Sequence, residues 1–307
     1  RGPHNVAHIE TIFQVQEGKS MQSRKQASHI AKEMIKEAVI EKLDPKTILS
    51  GTTTAFRIVD FGCSGLENPT TTTTTTKTLE LEFQVFFNDH TTNDFNTLFA
   101  SLPPDRLYHA AATPGSFHGR LFPRASIQLA HSDTRLTLTL SSGCRRFRKA
   151  EEIVSGGLVV LILPGIPDGV RHSEIPANVF YIFLGSSLLD LVNEGIVDKA
   201  EVDAFNLPIY APSDSELRKL IEKNGSFSIE RLEVTIPKSQ AKIDSSHVHS
   251  LIMHFRAALG GIFTKHFGND VVEKMFDKTL AKSEEISKTL NTIYPLLTHL
   301  FVVLKRN

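Results

Sequence analysis

Short apolar runs recur along the first half of the chain and predict buried strands. They occupy Phe56–Gly62, Phe83–Asp89, Ser126–Ala130 and Gly157–Pro164. Runs of this length are typical of strands covered on both faces of a parallel sheet. Two further strand-like runs lie in the last third of the chain, at Phe227–Ile236 and Leu296–Lys305.

Apolar residues at three- and four-residue spacing predict amphipathic helices between and after these strands. The first covers Met21–Leu43, where Ile30, Met34, Ile35, Ala38, Val39 and Leu43 recur, and Pro45 follows its end. The last third is mostly helical, at Asn178–Gly195, Ser215–Asn224 and, with breaks, His247–Leu290.

Strands that alternate with helices favour an α/β fold, a doubly wound and mostly parallel sheet covered on both faces, with a helical cap inserted late in the chain. The predicted core comprises residues 1–170, 213–240 and a last strand in 293–307. The predicted α-helical cap comprises residues 171–212 and 241–292.

Composition narrows the class of protein. The 307 residues carry 34 Lys and Arg against 34 Asp and Glu, so the balanced charge argues against a nucleic-acid partner. The chain has 2 Cys, too few for a disulfide scaffold, and no apolar run long enough to span a membrane. The sequence therefore predicts a cytoplasmic globular protein.

Two strand ends carry an acid, Asp60 and Asp89, and ligands of open α/β sheets bind beyond the carboxyl ends of the strands. The turn Gly62-Cys63-Ser64-Gly65 follows the first acid, but neither a G-x-G-x-x-G nor a Walker sequence occurs. A nucleoside without phosphates therefore fits this edge better than a dinucleotide. The alternative is that both acids only cap loops.

Several longer motifs are similar to those of one known family. They are Ile58-Val59-Asp60-Phe61-Gly62-Cys63-Ser64 with Asn68, Phe86-Phe87-Asn88-Asp89-His90 with Asn93-Asp94-Phe95-Asn96, the stretch Pro114–Pro123 (PGSFHGRLFP), and Asp203–Tyr210 (DAFNLPIY). The chain resembles the plant SABATH methyltransferases, which include carboxyl methyltransferases of salicylate, benzoate and jasmonate and the caffeine-pathway N-methyltransferases. The resemblance implies a Rossmann-like class I methyltransferase core.

The resemblance implies S-adenosylmethionine as the cofactor and assigns residues to it. Asp60, Cys63 and Asn68 would line its methionine side, and Ser23 would touch it as well. Asp89 would bind the ribose hydroxyls, and His90 would pack beside the adenosine. Ser116 and Phe117 would hold the adenine, by a hydrogen bond and by stacking.

The resemblance also implies a substrate site and a metal site. Gln26 would bind the carboxylate of a small organic acid, and Thr134, Thr137 and Leu138 replace the family's clamping aromatic residue and Trp. Magnesium would be held by Asp203, the carbonyl of Phe205, and Asn206. The alternative is that Asp203 and Asn206 cap a turn.

A carboxylate is ionised at neutral pH, so its methylation needs positioning rather than a general base. Three functions remain open: carboxyl methylation, N-methylation of a xanthine-like heterocycle, and a cofactor-binding relative with weakened catalysis. The resemblance also implies a homodimer.

Overall fold

The structure is a computed structural model that describes residues 34–35, 37–42, 55–62, 82–133, 148–171, 175–207, 210–235, 243–293 and 298–307. Within these residues, seven strands form one sheet in the order β3-β2-β1-β4-β5-β7-β6. They are β1 (Ala55–Phe61), β2 (Glu82–Asp89), β3 (His109–Pro114), β4 (Ile127–Asp133), β5 (Ile153–Gly165), β6 (Phe227–Thr235) and β7 (Thr298–Arg306).

The pairs β1–β2, β2–β3, β1–β4 and β4–β5 are parallel, whereas β6 and β7 pair antiparallel. Strand order reverses between β1 and β4, because β2 and β3 add to one side of β1 and β4 and β5 to the other. This reversal is the switch point at which open α/β sheets bind ligands.

Some of the described helices lie between strands along the chain, and others follow one another in its second half. They are α1 (Phe95–Ser101), α2 (Pro176–Asn193), α3 (Lys199–Ala204), α4 (Asp214–Asn224), α5 (Ser245–Phe267), α6 (Asn269–Ala281) and α7 (Ser283–Ile293), with a 3-10 turn at Arg148–Glu151. Residues 34–35 and 37–42 are also helical. None of the helices in the described residues combines the length and the apolar character that a membrane crossing requires.

The chain divides into two compact units. One contains the described residues up to Gly165 together with Tyr210–Thr235 and His299–Asn307. The other contains the described residues of Ile166–Ile209 and Ile236–Thr298. The first unit holds the sheet, and the second is built from helices α2, α3, α5, α6 and α7.

Hydrophobic side chains cover both faces of the sheet. Neighbouring residues of one strand join different clusters, Ile58 in one and Val59 in the other, because side chains alternate across a strand. Met34, Ile35, Ala38 and Val39 of the first helical segment belong to the cluster of Ile58. Leu217 and Ile221 of α4 belong to the cluster of Val59.

The helical unit has its own core. Phe180 stacks on Phe255 with ring centroids 4.9 Å apart, so α2 packs directly against α5. Met275 and Phe276 of α6 and Ile286 of α7 have no solvent exposure. A second hydrophobic core explains why these helices cluster as a separate compact unit.

The predicted fold class is confirmed, since the sheet is mostly parallel and is wound in both directions from β1. The apolar runs located six of the strands to within a few residues, although β5 begins earlier than predicted, at Ile153. The bounds of β3 were not predicted, because its sequence HAAATP lacks the β-branched and aromatic residues that mark a strand. Helices α1 and α3 are too short to show a periodic pattern.

Gly165 at the end of β5 provides a test of packing between β5 and β7. A Cβ atom there would lie 2.6 Å from Cγ of Leu300, which is fully buried in the sheet core. We expect Gly165→Ala to destabilise the protein by about 1–3 kcal/mol in urea unfolding, the usual cost of overpacking.

Gly185→Ala is the matched control, because the added Cβ in helix α2 would meet no atom within 4 Å apart from its chain neighbours and the adjacent helix backbone. It should be neutral or stabilising by about 0.5–1 kcal/mol, since Ala is the better helix former. Equal stabilities of the two variants would contradict the packing of Leu300 against Gly165.

Candidate active site

Four parallel strands end at one edge of the sheet and bring the predicted cofactor residues together. Asp60 lies at the end of β1, Asp89 ends β2, and Ser116 and Phe117 follow β3. His131 on β4 is directly opposite Asp60 in the pairing of β4 with β1. Sequence-distant polar groups therefore meet beside the switch point of the sheet.

Asn88, the residue before Asp89, ties the end of β2 to both neighbouring strands. Its side chain has no solvent exposure. Its amide donates to the carbonyl oxygens of Thr113 at 2.7 Å and Gly115 at 2.9 Å. The backbone carbonyl of Asn88 accepts from the backbone N–H of Gly62 at 2.8 Å. One buried residue thus fixes the turn after β1 and the loop after β3.

Asp89 itself is 7% exposed and is held by its neighbours. Its backbone carbonyl accepts from Gly115 N–H at 2.8 Å, and its Oδ1 accepts from His90 N–H at 2.7 Å. The His90 side chain is exposed, with Nδ1 3.1 Å from Oγ1 of Thr92. The Asp89 carboxylate therefore has a defined orientation at the end of β2.

The loop after β3 presents a hydroxyl and an aromatic ring side by side. Ser116 is exposed and Phe117 is half-buried. The loop turns back on itself, because Gly119 N–H donates to the Ser116 carbonyl at 3.0 Å. It starts at Gly115 with φ +143°, a conformation that side chains rarely adopt, and a Cβ there would lie 3.2 Å from Leu121.

Glu152 fixes the far end of the same loop. Its Oε1 accepts from Leu121 N–H at 2.9 Å, and the residue is 1% exposed. Its backbone carbonyl accepts from Ser126 and Ile127 at 2.9 and 3.0 Å. The loop is therefore held at both ends by buried polar groups, Asn88 before Ser116 and Glu152 after it.

Asp60 is more accessible than Asp89, with 35% of its side chain exposed. Its Oδ1 lies 3.0 Å from Nδ1 of His131, whose side chain is 16% exposed. The carboxylate is thus held on one side and open to solvent on the other.

Asp94, in the motif Asn93-Asp94-Phe95-Asn96, has a structural role. It caps α1 by accepting from the N–H groups of Asn96 and Thr97. Hydrogen bonds from the Thr97 hydroxyl and backbone hold the pKa of Asp94 below its usual range. Only the motif before it, at Asn88–His90, reaches the edge where the strands end.

Several predicted residues lie outside the described residues. They are the cofactor residues Ser23, Cys63 and Asn68 and the substrate residues Gln26, Thr134, Thr137 and Leu138. The described cofactor residues, Asp60, Asp89, His90, Ser116 and Phe117, all lie at or just beyond the ends of β1, β2 and β3.

The predicted magnesium ligands lie in the helical unit at the end of α3. Asp203 accepts a hydrogen bond from Lys199 at 2.6 Å, and its side chain is 61% exposed. The Phe205 ring packs among Phe263, His266 and Phe267, with centroids 4.8–5.1 Å away. Asn206 is exposed. Across the part of the chain that the structure describes, no three His, Cys, Asp or Glu side chains are grouped as metal ligands.

An open, mostly parallel sheet with acids at the strand ends beside its switch point is typical of α/β proteins that bind nucleoside-type cofactors. A family profile described as SAM-dependent carboxyl methyltransferase matches residues 10–142 and 146–307. The chain belongs to that family, which confirms the resemblance to the SABATH methyltransferases, and its cofactor is S-adenosylmethionine.

Named relatives cover most of the chain. Loganic acid O-methyltransferase of Catharanthus roseus is 35% identical, over 90% of this chain and 87% of that protein. Farnesoic acid carboxyl-O-methyltransferase of Arabidopsis thaliana is 33% identical, over 90% and 92%. Paraxanthine methyltransferase 2 of Arabidopsis thaliana is 30% identical, over 90% and 91%.

A solved structure described as loganic acid methyltransferase with SAH (S-adenosylhomocysteine) shares the fold. Its TM-score is 0.76 at 30% identity, and the match covers 95% of this chain and 98% of that chain. The fold described above is therefore a known methyltransferase architecture.

The groups at this edge fit S-adenosylmethionine chemically. Asp60 and Asp89 supply two carboxylates, which accept hydrogen bonds from ribose hydroxyls and from an ammonium group. Phe117 supplies an aromatic surface for a purine, and the exposed Ser116 a neighbouring hydroxyl. The side chains at the strand ends thus offer a suitable group for the ribose, for the amino group of the methionine part and for the adenine of the cofactor.

The sequence prediction missed three residues that shape this edge: Asn88 and Glu152, which hold the loop, and His131, which holds Asp60. Asn88 lies in the motif Phe86–His90, but the sequence prediction assigned no role to it. Glu152 could have been singled out as an acid directly before an apolar run, a position that only burial explains. The pairing of His131 with Asp60 requires the register of β1 and β4.

Two buried amides provide a matched test of the role of Asn88. Gln128, 3% exposed, also cross-links β1 and β4, by accepting from Arg57 N–H at 2.8 Å, but near the amino end of the sheet. We expect Asn88→Ala and Gln128→Ala each to lower stability by about 1–3 kcal/mol, because buried partners lose their hydrogen bonds.

Only Asn88→Ala should also weaken the binding of S-adenosylhomocysteine, on the order of tenfold, as measured by calorimetry. Unchanged affinity in Asn88→Ala, or an equal loss in Gln128→Ala, would show that Asn88 does not position the loop for the cofactor.

Proposed function

We propose that this protein transfers the methyl group of S-adenosylmethionine to the carboxylate of a small organic acid and so forms a methyl ester. The observation that carries the proposal is the arrangement of Asp60, Asp89, Ser116 and Phe117 at the strand ends, in a chain that belongs to the carboxyl methyltransferase family. The named activities of its relatives on loganic acid and farnesoic acid support an acid as the acceptor.

In this proposal, the described residues bind and orient the cofactor. Asp89 receives the ribose hydroxyls, Ser116 and Phe117 hold the adenine, and His90 packs beside the adenosine. Asp60 faces the methionine side, together with Ser23, Cys63 and Asn68. Each of these roles requires a defined orientation of the side chain. For Ser116 and Phe117, the hydrogen bonds of Asn88 and Glu152 fix the loop that carries them.

The cofactor supplies an electrophilic methyl group, because its sulfonium centre leaves as a neutral thioether. The acceptor carboxylate has a pKa near 4 and is already a nucleophile at neutral pH, so no side chain has to remove a proton. Gln26 would hold that carboxylate in line with the methyl carbon. Since a negative acid and a positive sulfonium become neutral products, exclusion of water from the site favours the reaction.

A second candidate is N-methylation of a xanthine-like heterocycle. It is favoured by the 30% identity to paraxanthine methyltransferase 2 and by the replacement of the family's acid-clamping Trp, here by Leu138. A third candidate is a relative that binds the cofactor with weakened catalysis, because Thr134 and Thr137 also depart from the family pattern.

Methyl transfer from radiolabelled S-adenosylmethionine to a panel of acids and xanthines separates these candidates. We expect a labelled product from a small acid such as loganic or benzoic acid, and we expect mild base to release its label as methanol. A base-stable product formed from a xanthine would contradict ester formation and support N-methylation. Tight cofactor binding without any product would support the third candidate.

Magnesium remains a prediction of the resemblance, and in the described structure the one carboxylate assigned to it is paired with a lysine instead. Mg²⁺ prefers octahedral oxygen ligands with one or two carboxylates. Among Asp203, Phe205 and Asn206 the only carboxylate is Asp203, and it is paired with Lys199. We therefore derive no step of the reaction through a metal.

Thermal denaturation with and without millimolar magnesium tests this disagreement. We expect the melting temperature to be unchanged, because a single exposed carboxylate that also pairs with Lys199 holds a hydrated magnesium ion only weakly. A rise that is lost in Asp203→Asn and retained in Asp198→Asn would contradict this expectation and establish the metal site. Asp198 is a suitable control, since it caps the same helix.

A homodimer and a cytoplasmic location also remain proposals. The family resemblance supports the first, and composition supports the second. Sedimentation equilibrium of the purified chain tests the dimer directly.

A further inference from the structure

We infer that His131 is a positioning residue of the cofactor site, which holds the Asp60 carboxylate in the orientation that the cofactor requires. The inference rests on the proposed role of Asp60 toward S-adenosylmethionine. It does not depend on which acceptor is methylated.

The pairing of β1 with β4 places the two side chains together. Asp60 and His131 are direct partners in the parallel register, although 71 residues separate them in sequence. Their Oδ1 and Nδ1 atoms are 3.0 Å apart. The next pair is joined as well, since the Ser132 hydroxyl donates to the Phe61 carbonyl at 3.3 Å. The end of β4 thus supports the end of β1 through two consecutive side chains.

The chemistry of the contact fixes the position of one proton. An ionised carboxylate only accepts hydrogen bonds, so Nδ1 of His131 must carry the hydrogen. Both the neutral Nδ1–H tautomer and the imidazolium meet this requirement. The contact therefore does not require a charged histidine.

The solvent exposure of the two side chains differs in the way that their proposed roles require. His131 is 16% exposed, whereas Asp60 is 35% exposed, so the acid reaches solvent more than the residue that holds it. The pair lies beside the switch point between β1 and β4, where a ligand approaches the sheet. A carboxylate already fixed on one oxygen loses less rotational freedom when a ligand binds, which strengthens binding.

The test measures the dissociation constant of S-adenosylhomocysteine by calorimetry, since product binding requires no methyl acceptor. His131→Leu keeps the size of the side chain but removes the donor, and we expect binding on the order of tenfold weaker. His131→Asn places an amide N–H near the position of Nδ1, and we expect affinity within about threefold of the wild type.

His131→Gln carries the same amide one bond further out and should bind as weakly as His131→Leu. If the Leu variant does not fold, the difference in affinity between the Asn and Gln variants gives the same test. His109→Leu is the control, because His109 is exposed at the amino end of β3, and its affinity should not change. Melting temperatures of all variants report on folding.

A double-mutant cycle with Asp60→Ala separates positioning from a general structural role. If His131 acts through Asp60, His131→Leu causes no further loss of affinity once Asp60 is removed. An equal loss in both backgrounds, or wild-type affinity in His131→Leu, overturns the inference. Failure of the wild type to bind S-adenosylhomocysteine overturns it too, whereas binding without methylation of any acid contradicts only the proposed function.

Discussion

The parallel pairing of β1 with β2 on one side and β4 on the other determines where the polar groups of this protein lie. Side chains alternate across a strand, so a shift of one residue in either pairing would move Asp60 or Asp89 to the other face. The observed register sets Asp60 opposite His131 and Phe61 opposite Asn88. Hydrophobic side chains on both faces of the sheet hold that register in place.

Buried polar side chains fix the conformation of the loop at the carboxyl ends of these strands. Asn88 and Glu152 are almost completely removed from solvent, and each satisfies backbone groups of the loop after β3. Burial of an amide or a carboxylate is costly unless its hydrogen bonds are formed, so the loop conformation and the burial of these residues depend on each other. Because Asn88 and Glu152 stabilise the loop, Ser116 and Phe117 can remain partly or fully exposed and can contact a ligand.

The sequence predicted most of the fold because its signals are local. Apolar runs mark the buried strands, and periodic apolar positions mark helices such as α4 and α5. The bounds of β3 escaped prediction because three successive alanines carry no pattern. The motifs also located Asp60, Asp89, Ser116 and Phe117, which the fold brings to one edge.

The contacts of the site were less predictable, because they join residues far apart in sequence. Neither the amide bonds of Asn88 to the loop nor the contact of His131 with Asp60 follows from spacing along the chain. The assignment of magnesium to Asp203 came from the resemblance alone, and the partner of that carboxylate, Lys199, lies one helical turn earlier in the sequence. Sequence patterns therefore singled out residues that the fold brings to one edge, and the register of the sheet identified their partners.

Hydrogen–deuterium exchange with and without S-adenosylhomocysteine most directly tests whether the carboxyl edge of the sheet binds the cofactor. We expect slower exchange of the backbone amides of His90 and of residues 115–121 when the ligand is added. Amides at the opposite edge, such as Arg57 and Gln84, should be unaffected. Protection confined to the helical unit, or no protection at residues 115–121, would contradict this location of the site.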